Sequence, residues 1–441
     1  MPGLRTGPRI PGRLSQVRPT VRGTAVLAAG LVLVVAGTVL GLTDVVGLGA
    51  AGLLVVAAAW TWMLARRIDR GPGALRVSRR VEPDPAVRGS QVTTRLLVSP
   101  VSPTATALGR LSRLQISEQA AGELCEHDAL RAQVVSHPDR IAVRYRLRPE
   151  HRGRWALGPV LTSRVDLFGL VRAVQPLGEA STVSVRPRTT GLEVRGSRAF
   201  GDLARSASGA RASSSDDSVL RDYVAGDDPR RVHWATAARR GQLMVRTDEN
   251  AGMPPVTVLL DRGTLPPPGT DRASSTAQDG EWAIEAAASV AVMLLAAGHP
   301  VRLVTSSAAP AVGTFPQSTG RRSERAAQLL DDTIDLEGHT SPRDAERALA
   351  TTADALRASR RPGELTVAVL APLGPLSTSA VAPMAGTGDH WALVVAPGPL
   401  PDAALEDSLT TLRAVGWHAV AVDPRTSTIS AAWNRLMEER R

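Results

Sequence analysis

Two long apolar segments near the N-terminus constrain the fold of this chain most strongly. Residues 24–43 read TAVLAAGLVLVVAGTVLGLT and residues 45–65 read VVGLGAAGLLVVAAAWTWMLA, and neither segment carries a charge. About 20 apolar residues suffice for a helix to cross a bilayer. Because only Asp44 separates the segments, we predict two transmembrane helices forming a tight hairpin over residues 24–65. A signal peptide followed by one anchor is the alternative, although the first segment exceeds the usual apolar length of about 7–15 residues.

Arginines flank this predicted hairpin on both sides. Five precede it within the basic segment 1–23, and three follow it, at Arg66, Arg67 and Arg70. By the positive-inside rule both ends of the hairpin face the cytoplasm. Trp60 and Trp62 stand where an aromatic belt is expected. We therefore predict a multi-pass membrane protein with its N- and C-termini in the cytoplasm.

The charge distribution argues against nucleic acid as a partner. The net charge is +10, but residues 1–70 hold eight Arg against Asp44 and Asp69, which leaves +4 for the rest. Within 216–250, six Arg stand against seven Asp and Glu. A surface that binds phosphates is expected to be strongly basic. We expect no nucleic-acid partner.

Cofactor chemistry has no support in the sequence. The single cysteine, Cys125, cannot form an internal disulfide, and its simplest interpretation is a small buried apolar residue. Neither C-x-x-C nor H-E-x-x-H occurs. We therefore expect no cofactor, zinc site or thiol redox centre.

The hydropathy pattern divides the remaining chain into two folded regions. Residues 71–190 contain segments with period-two alternation, such as QVTTRLLVS and IAVRYRLRP, which predict a β-rich, sandwich-like domain, although strands within 102–140 cannot be placed. A Gly/Ser/Arg-rich linker is predicted at 191–217. Over 255–441, helical segments alternate with short apolar segments, which predict strands at 255–261, 300–306, 364–372, 390–397 and 417–423. This pattern predicts an α/β domain with a parallel sheet. Ser341 with Pro342 and Asp344 predicts the start of one of its helices. Residues 264–280 are expected to form a long loop before an apolar helix at 281–298.

Three stretches of the chain resemble a known family. They are RPEHRGRWALGPVLTSRVDLFGLVRAV at 148–174, VSVRPR at 183–188 and LRDYVAGDDPRRVHWATAARRGQLMVR at 220–246. Together they are similar to bacterial domain-of-unknown-function family 58. The resemblance implies an anchor in the bacterial inner (cell) membrane, a β region and a C-terminal domain similar to von Willebrand factor type A. It also implies a MoxR-type AAA+ ATPase as a partner and, further, a transglutaminase-like membrane protein.

The signature segment, residues 218–250, is the candidate functional site. Its Gly-Asp-Asp-Pro sequence is typical of a turn, and Gly241 is expected to end a short helix before a strand at 242–246. Its arginines and acids are expected to brace two domains, while Arg, Tyr and Trp also suit a protein interface. The candidate residues are Arg221, Asp222, Tyr223, Gly226, Asp227, Asp228, Arg230, His233, Trp234, Arg239, Arg240 and Gly241. His233 with a neighbouring acid could instead serve a hydrolase, but no G-x-S-x-G nucleophile motif is present.

Asp261 marks the position of a metal site in type A domains, where D-x-S-x-S follows the first strand. Here Gly263 and Leu265 replace the two serines, and Thr264 replaces neither. Because Mg²⁺ needs several oxygen ligands, we predict no metal at this degenerate site. The function favoured by the sequence is a scaffold or adaptor facing the cytoplasm, with a cell-envelope hydrolase as the alternative.

Overall fold

The computed structural model describes residues 16–65, 69, 71, 73–112, 114–125, 132–193, 220–222, 237–239, 241–246, 253–313, 315, 321–361, 363–387, 390–396 and 403–438. The chain forms two compact units, Met1–Arg186 and Pro187–Arg441. The division falls at the end of the predicted β region.

The first unit begins with a strand and a helical hairpin: β1 (Gln16–Pro19), α1 (Val21–Leu40) and α2 (Thr43–Ala65). The Thr20 side chain caps α1 by accepting a hydrogen bond from the Gly23 N–H. Gly30 and Gly49 bring the helices together, since a Cβ added to Gly49 would lie 2.6 Å from the Gly30 carbonyl oxygen. Both helices are long and apolar enough to cross a membrane by length and composition. The two predicted apolar helices are thus present.

Among the described residues, the first unit contains ten further strands and one further α-helix. They are β2 (Leu75–Glu82), β3 (Ala86–Val87), β4 (Val92–Pro100), α3 (Ala105–Ser112), β5 (Gln115–Ser117), β6 (Ala132–His137), β7 (Arg140–Leu147), β8 (Gly153–Leu157), β9 (Val160–Val165), β10 (Val171–Leu177) and β11 (Ser181–Arg186). Two antiparallel four-stranded sheets have the orders β2-β4-β7-β6 and β1-β10-β9-β5, and a smaller sheet has the order β3-β11-β8.

The β-rich region has one shared hydrophobic core. Leu96 of β4, Leu147 of β7, Leu157 of β8 and Val185 of β11 are all buried in it, and so is Leu124 from the segment that the sequence pattern left unassigned. Alternate residues of β4 and β7 lie on one side of the sheet and face this core, as period-two patterning requires. The predicted β-rich domain is confirmed, and its finer description as a sandwich stays a prediction.

The second unit contains a two-stranded ladder and a five-stranded parallel sheet. The ladder joins β12 (Leu220–Asp222) and β13 (Met244–Arg246). The sheet has the order β15-β14-β16-β17-β18 and comprises β14 (Val256–Leu260), β15 (Val301–Thr305), β16 (Leu365–Leu370), β17 (His390–Val395) and β18 (Trp417–Val422). Every neighbouring pair in it is parallel, as the sequence predicts.

Helices cover this sheet on both faces, which is why its strands are almost wholly apolar. The helices are α4 (Ser275–Ala296), α5 (Arg322–Asp332), α6 (Pro342–Ala358), α7 (Pro375–Val381), α8 (Ala403–Ala414) and α9 (Ile429–Glu438). Helices α4 and α9 share one core with Val258 and Trp391. Helices α6, α7 and α8 share the other with Leu259 and Ala392.

One boundary prediction was wrong. The loop predicted at 264–280 ends earlier, because α4 begins at Ser275. The Ser274 hydroxyl caps this helix by accepting from the Ala277 N–H at 3.2 Å. Asp279 and Glu281 are buried on this helix.

Candidate functional site

The two ends of the signature segment meet in the ladder of β12 and β13. Arg221 pairs with Val245 and Asp222 with Met244 in antiparallel register. The strand at 244–246 agrees with the sequence pattern, whereas β12 was not predicted. The ladder brings these two parts of the signature segment together.

A short helical turn precedes the second strand. Residues 237–239 are helical, and the Gly241 N–H donates to the Ala237 carbonyl at 2.9 Å. Gly241 has φ +69°, the left-handed conformation that commonly ends a helix. Arg239 is exposed on this turn. The expected ending at Gly241 is confirmed.

The other predicted site residues lie outside the described residues. They are Tyr223, Gly226, Asp227, Asp228, Arg230, His233, Trp234 and Arg240. Bracing, partner docking and catalysis by this segment therefore stay predictions.

The carboxyl edge of the parallel sheet is the second candidate site. Order in the sheet reverses at β14, between β15 and β16, and open α/β sheets bind ligands beside such a switch point. Asp261 follows β14 there and is 3% exposed. Its Oδ1 accepts from the Gly263 N–H at 2.8 Å and the Ser306 hydroxyl at 3.0 Å, and its Oδ2 accepts from the Ala371 N–H at 3.2 Å. The carboxylate thus links the ends of three adjacent strands.

Burial dominates the electrostatics of Asp261. Desolvation raises the pKa of its carboxyl, and the hydrogen bonds from Gly263, Ala371 and Ser306 oppose that rise. Each carboxylate oxygen is already engaged by a protein donor. This hydrogen-bond network therefore suits Asp261 to holding the strand ends together more than to binding a ligand.

Ser306 and Arg262 extend this hydrogen-bond network. The fully buried Ser306 hydroxyl donates to Asp261 and accepts from the Arg262 N–H at 2.8 Å. The Arg262 side chain donates to the Glu337 carbonyl at 2.6 Å. A hydroxyl enclosed in this way cannot reach a substrate, so Ser306 is unsuited to act as a nucleophile.

His339 is a neighbour that sequence reasoning missed. Desolvation and the positive charge of Arg262 lower the pKa of its imidazole, while Asp261 and the Ser306 backbone partly oppose the shift. A lowered pKa keeps the ring neutral near pH 7. No local motif marks His339 or Ser306, since only the folding of separate strands brings them to Asp261.

At the same edge of the sheet, a backbone N–H at the start of α7 is also hydrogen-bonded within the protein. Glu346 accepts from the Leu376 N–H at 2.8 Å, so a carboxylate of the protein occupies the amino end of this helix. A Cβ at Gly374 would lie 2.3 Å from Glu346 Oε1, so a larger residue there would require the Glu346 side chain to shift.

The residues that replace the two serines of the metal motif have structural roles. Gly263 contributes the N–H that Asp261 accepts, and Leu265 is buried in the core beside α4. Across the described ranges, no group of three or more His, Cys, Asp and Glu side chains is placed to hold a metal ion. The absence of a metal stays a prediction.

The amino edge of the sheet carries a buried basic group. His390 is fully buried at the start of β17, with its ring 4.7 Å from the Trp417 ring and its Nε2 2.9 Å from the Arg360 guanidinium. Burial and then the charge of Arg360 lower the pKa of His390 to about 3. This histidine is consequently a neutral core residue.

A row of arginines lies on the solvent side of the β2-β4-β7-β6 sheet. Arg80 stands opposite Arg95, Arg95 opposite Arg144, and Arg144 opposite Gln133. All three arginines are exposed. We call this row the basic face. Like charges directly opposite one another on neighbouring strands are destabilising.

A groove of about 700 Å³ runs beside the basic face. Leu97, Val135 and Ala142 contribute its apolar lining. Glu82 is the acid that ion-pairs with the row, at 3.1 Å from Arg80 and 3.7 Å from Arg95. Because these side chains are largely exposed, such pairs offset little of the repulsion.

The comparisons with known proteins identify one family match. Residues 219–375, well under half of the chain, match the family model described as "Protein of unknown function DUF58". The matched range extends from the signature segment through β16 to the start of α7. A comparison with curated proteins finds no significant match.

Among solved structures, the chain is similar to a mutant of the PilB minor pilin from Streptococcus sanguinis. The sequences are 12% identical, and the alignment covers 80% of this chain and 84% of that chain with a TM-score of 0.29. A likeness this weak supports no inference about fold or function.

Proposed function

We propose that the protein is a membrane-anchored adaptor of the bacterial inner membrane. The hairpin of α1 and α2 anchors it with both termini in the cytoplasm, where the two folded units bind partner proteins. The arginines that flank both apolar segments support this orientation. The family match supports the resemblance over residues 219–375. Our proposal extends the resemblance to the rest of the chain, with a type A-like, metal-free C-terminal domain.

The observation that carries the adaptor function is the basic face. Three arginines held side by side on a rigid sheet cost stability in the isolated protein. An acidic partner would offset that repulsion, and the apolar lining of the groove would add buried area. Electrostatic complementarity of this kind favours fast and selective association.

The chemistry of the face favours a protein segment that combines carboxylates with aliphatic side chains. The residues that line the groove include no aromatic ring on which a nucleic-acid base could stack. The family resemblance makes a MoxR-type AAA+ ATPase the first partner to test, and a transglutaminase-like membrane protein the second.

The test is a binding measurement with purified proteins. The full-length chain in detergent is titrated with the MoxR-type ATPase of the same genome, using wild type, Arg95→Glu, Arg144→Glu and the control Arg343→Glu. Arg343 is an exposed arginine near the start of α6 in the second unit, so the control has the same charge change elsewhere. We expect each reversal on the basic face to raise Kd about tenfold, equivalent to about 1.4 kcal/mol, and the control to leave it unchanged.

Two outcomes would contradict the proposal. One is equal weakening by all three variants, which would indicate a general charge effect. The other is unchanged ATPase affinity together with duplex DNA binding that both face variants abolish, which would make the face a phosphate-binding surface.

A further inference from the structure

The turn between β9 and β10 exposes large apolar side chains. This turn, residues 166–170, has the sequence DLFGL. Leu167 is 83% exposed and Phe168 is 70% exposed, and Val165 at the end of β9 is half exposed. Adjacent apolar side chains projecting from a turn are unfavourable in water, and they commonly mark a contact with another surface.

The backbone of this turn is fixed by hydrogen bonds. Asp166 Oδ1 accepts from the Val171 N–H at 2.6 Å, and its Oδ2 accepts from the Phe168 N–H at 3.1 Å. The Gly169 N–H donates to the Asp166 carbonyl at 3.1 Å, and Gly169 has φ +71°. The side chains of Leu167 and Phe168 are therefore held outward by a shaped turn.

The same turn is joined to the beginning of α1. The Thr20 N–H donates to the Leu170 carbonyl at 2.8 Å, and the Thr20 hydroxyl donates to the Gly169 carbonyl. A Cβ at Gly23 would lie 2.0 Å from the Leu170 oxygen, so the first turn of the helix packs directly on this backbone. The turn is thus fixed at the level where the apolar helix begins.

The end of α2 reaches the same level. Leu170 and Val171 are buried in one cluster with Met63, and Trp60 packs against that cluster. Trp60 and Trp62 are the residues expected at the membrane interface, where aromatic rings are enriched. The Arg22 guanidinium lies beside Gly169. Cationic and aromatic groups at one level are typical of the boundary between headgroups and acyl chains.

We propose that Leu167 and Phe168 insert into the bilayer beside α1 and form a third membrane contact. The inference rests on the proposed anchoring of α1 and α2 in a bilayer. Lipid is the occupant because the turn is continuous with those helices through Thr20, Gly23 and the shared apolar cluster. The contact fixes the tilt of the β-rich region against the membrane, which two helices alone leave less restricted.

Single-site spin labelling in proteoliposomes tests this contact. Cys125 is the only cysteine, so Cys125→Ala gives a background without reactive thiols. Phe168→Cys is labelled with a nitroxide and compared with Leu54→Cys on α2 and Val134→Cys on β6, which are 69% and 60% exposed. Collision of each label with oxygen, which concentrates in lipid, is measured against collision with a water-soluble nickel chelate.

We expect the label at 168 to behave like the label at 54, with high oxygen and low nickel accessibility. The label at 134 should show the reverse. If the labels at 168 and 134 are equally accessible to nickel while that at 54 is in lipid, the inference is wrong and the anchoring stands. If the label at 54 is also in water, both proposals fail. A label at 168 shielded from both probes would show that protein covers the turn, which also overturns the inference.

Discussion

Substitution of Asp261 by alanine should destabilise the second unit by about 3 kcal/mol, with or without magnesium. The change leaves the Gly263 N–H, the Ala371 N–H and the Ser306 hydroxyl without their acceptor. Each such donor costs about 1–3 kcal/mol when it is left unpaired in the interior. Removing a desolvated carboxylate offsets part of that sum. A loss of 3 kcal/mol corresponds to a fall in Tm of about 6–12 °C in a unit of this size.

Calorimetry of the full-length chain in detergent, first with EDTA and then with excess Mg²⁺ or Mn²⁺, measures this loss. The matched control is Asp271→Ala, because Asp271 is exposed and accepts a hydrogen bond from the Ala273 N–H. We expect that control to change stability by less than about 1 kcal/mol. An unchanged Tm of Asp261→Ala in EDTA, combined with loss of a magnesium-dependent stabilisation seen in wild type, would refute the structural role and indicate a metal site.

Three further predictions concern the buried histidine, the topology and the signature. The pKa of His390 is about 3 in the fold, against an ordinary value of 6.5. Between these pKa values only the unfolded chain protonates this ring, so the free energy of unfolding falls as the pH drops from 6.5 toward 3. Chemical unfolding at pH 7.5 and pH 5 should show about 2 kcal/mol more acid loss in wild type than in His390→Gln, and identical losses would contradict this. A reporter fused after Arg441 should be active only as a cytoplasmic fusion; active periplasmic phosphatase there would exclude the proposed orientation. Trp234→Ala should cost about 3–5 kcal/mol if the indole is buried, whereas Arg239→Glu should leave Tm unchanged and weaken co-purification of the ATPase. If both lower Tm and neither affects the partner, the segment is an internal brace.

The strands and helix ends that could be predicted from the sequence are those marked by a few neighbouring residues. Apolar segments between turn residues located all five strands of the parallel sheet, because strands covered on both faces need no polar side. The Ser341–Pro342–Asp344 pattern located the start of α6, where the Ser341 hydroxyl accepts from the Asp344 N–H at 3.2 Å. Caps and periodicity depend on a few neighbouring residues, so they can be read without the fold.

Features that depend on distant residues could not be predicted. Residues 275–280 were predicted as part of a loop, but they belong to α4, where the Asp279 carboxylate lies 2.9 Å from the guanidinium of Arg425, far along the chain. Strand β1 exists because Val17 pairs with Ala173 of β10. The hydrogen-bond network around Asp261 likewise forms from the ends of three strands. In each case the partner is supplied by tertiary structure.

The basic face could not be recognised from the net charge of the chain. Alternation in β2, β4 and β7 assigns their arginines to the solvent side, but only the register aligns Arg80, Arg95 and Arg144 in one row. Counted over the whole chain beyond residue 70, the net charge is a modest +4. Residues 71–190 nevertheless hold 18 Arg against 10 Asp and Glu, whereas 191–441 hold 26 Arg against 30. Beyond residue 70, the net positive charge is thus confined to the β-rich region.

This segregation lets salt distinguish the two surfaces proposed for the first unit. Binding of an acidic partner to the exposed arginines is electrostatic, and at 0.15 M ionic strength screening already acts beyond about 8 Å. Insertion of Leu167 and Phe168 removes apolar surface from water, and monovalent salt screens no part of that free energy. Raising NaCl should therefore release the partner while the label at 168 keeps its lipid accessibility. If both contacts weakened together, the turn would be held at the membrane by charges such as Arg22 and not by its apolar side chains.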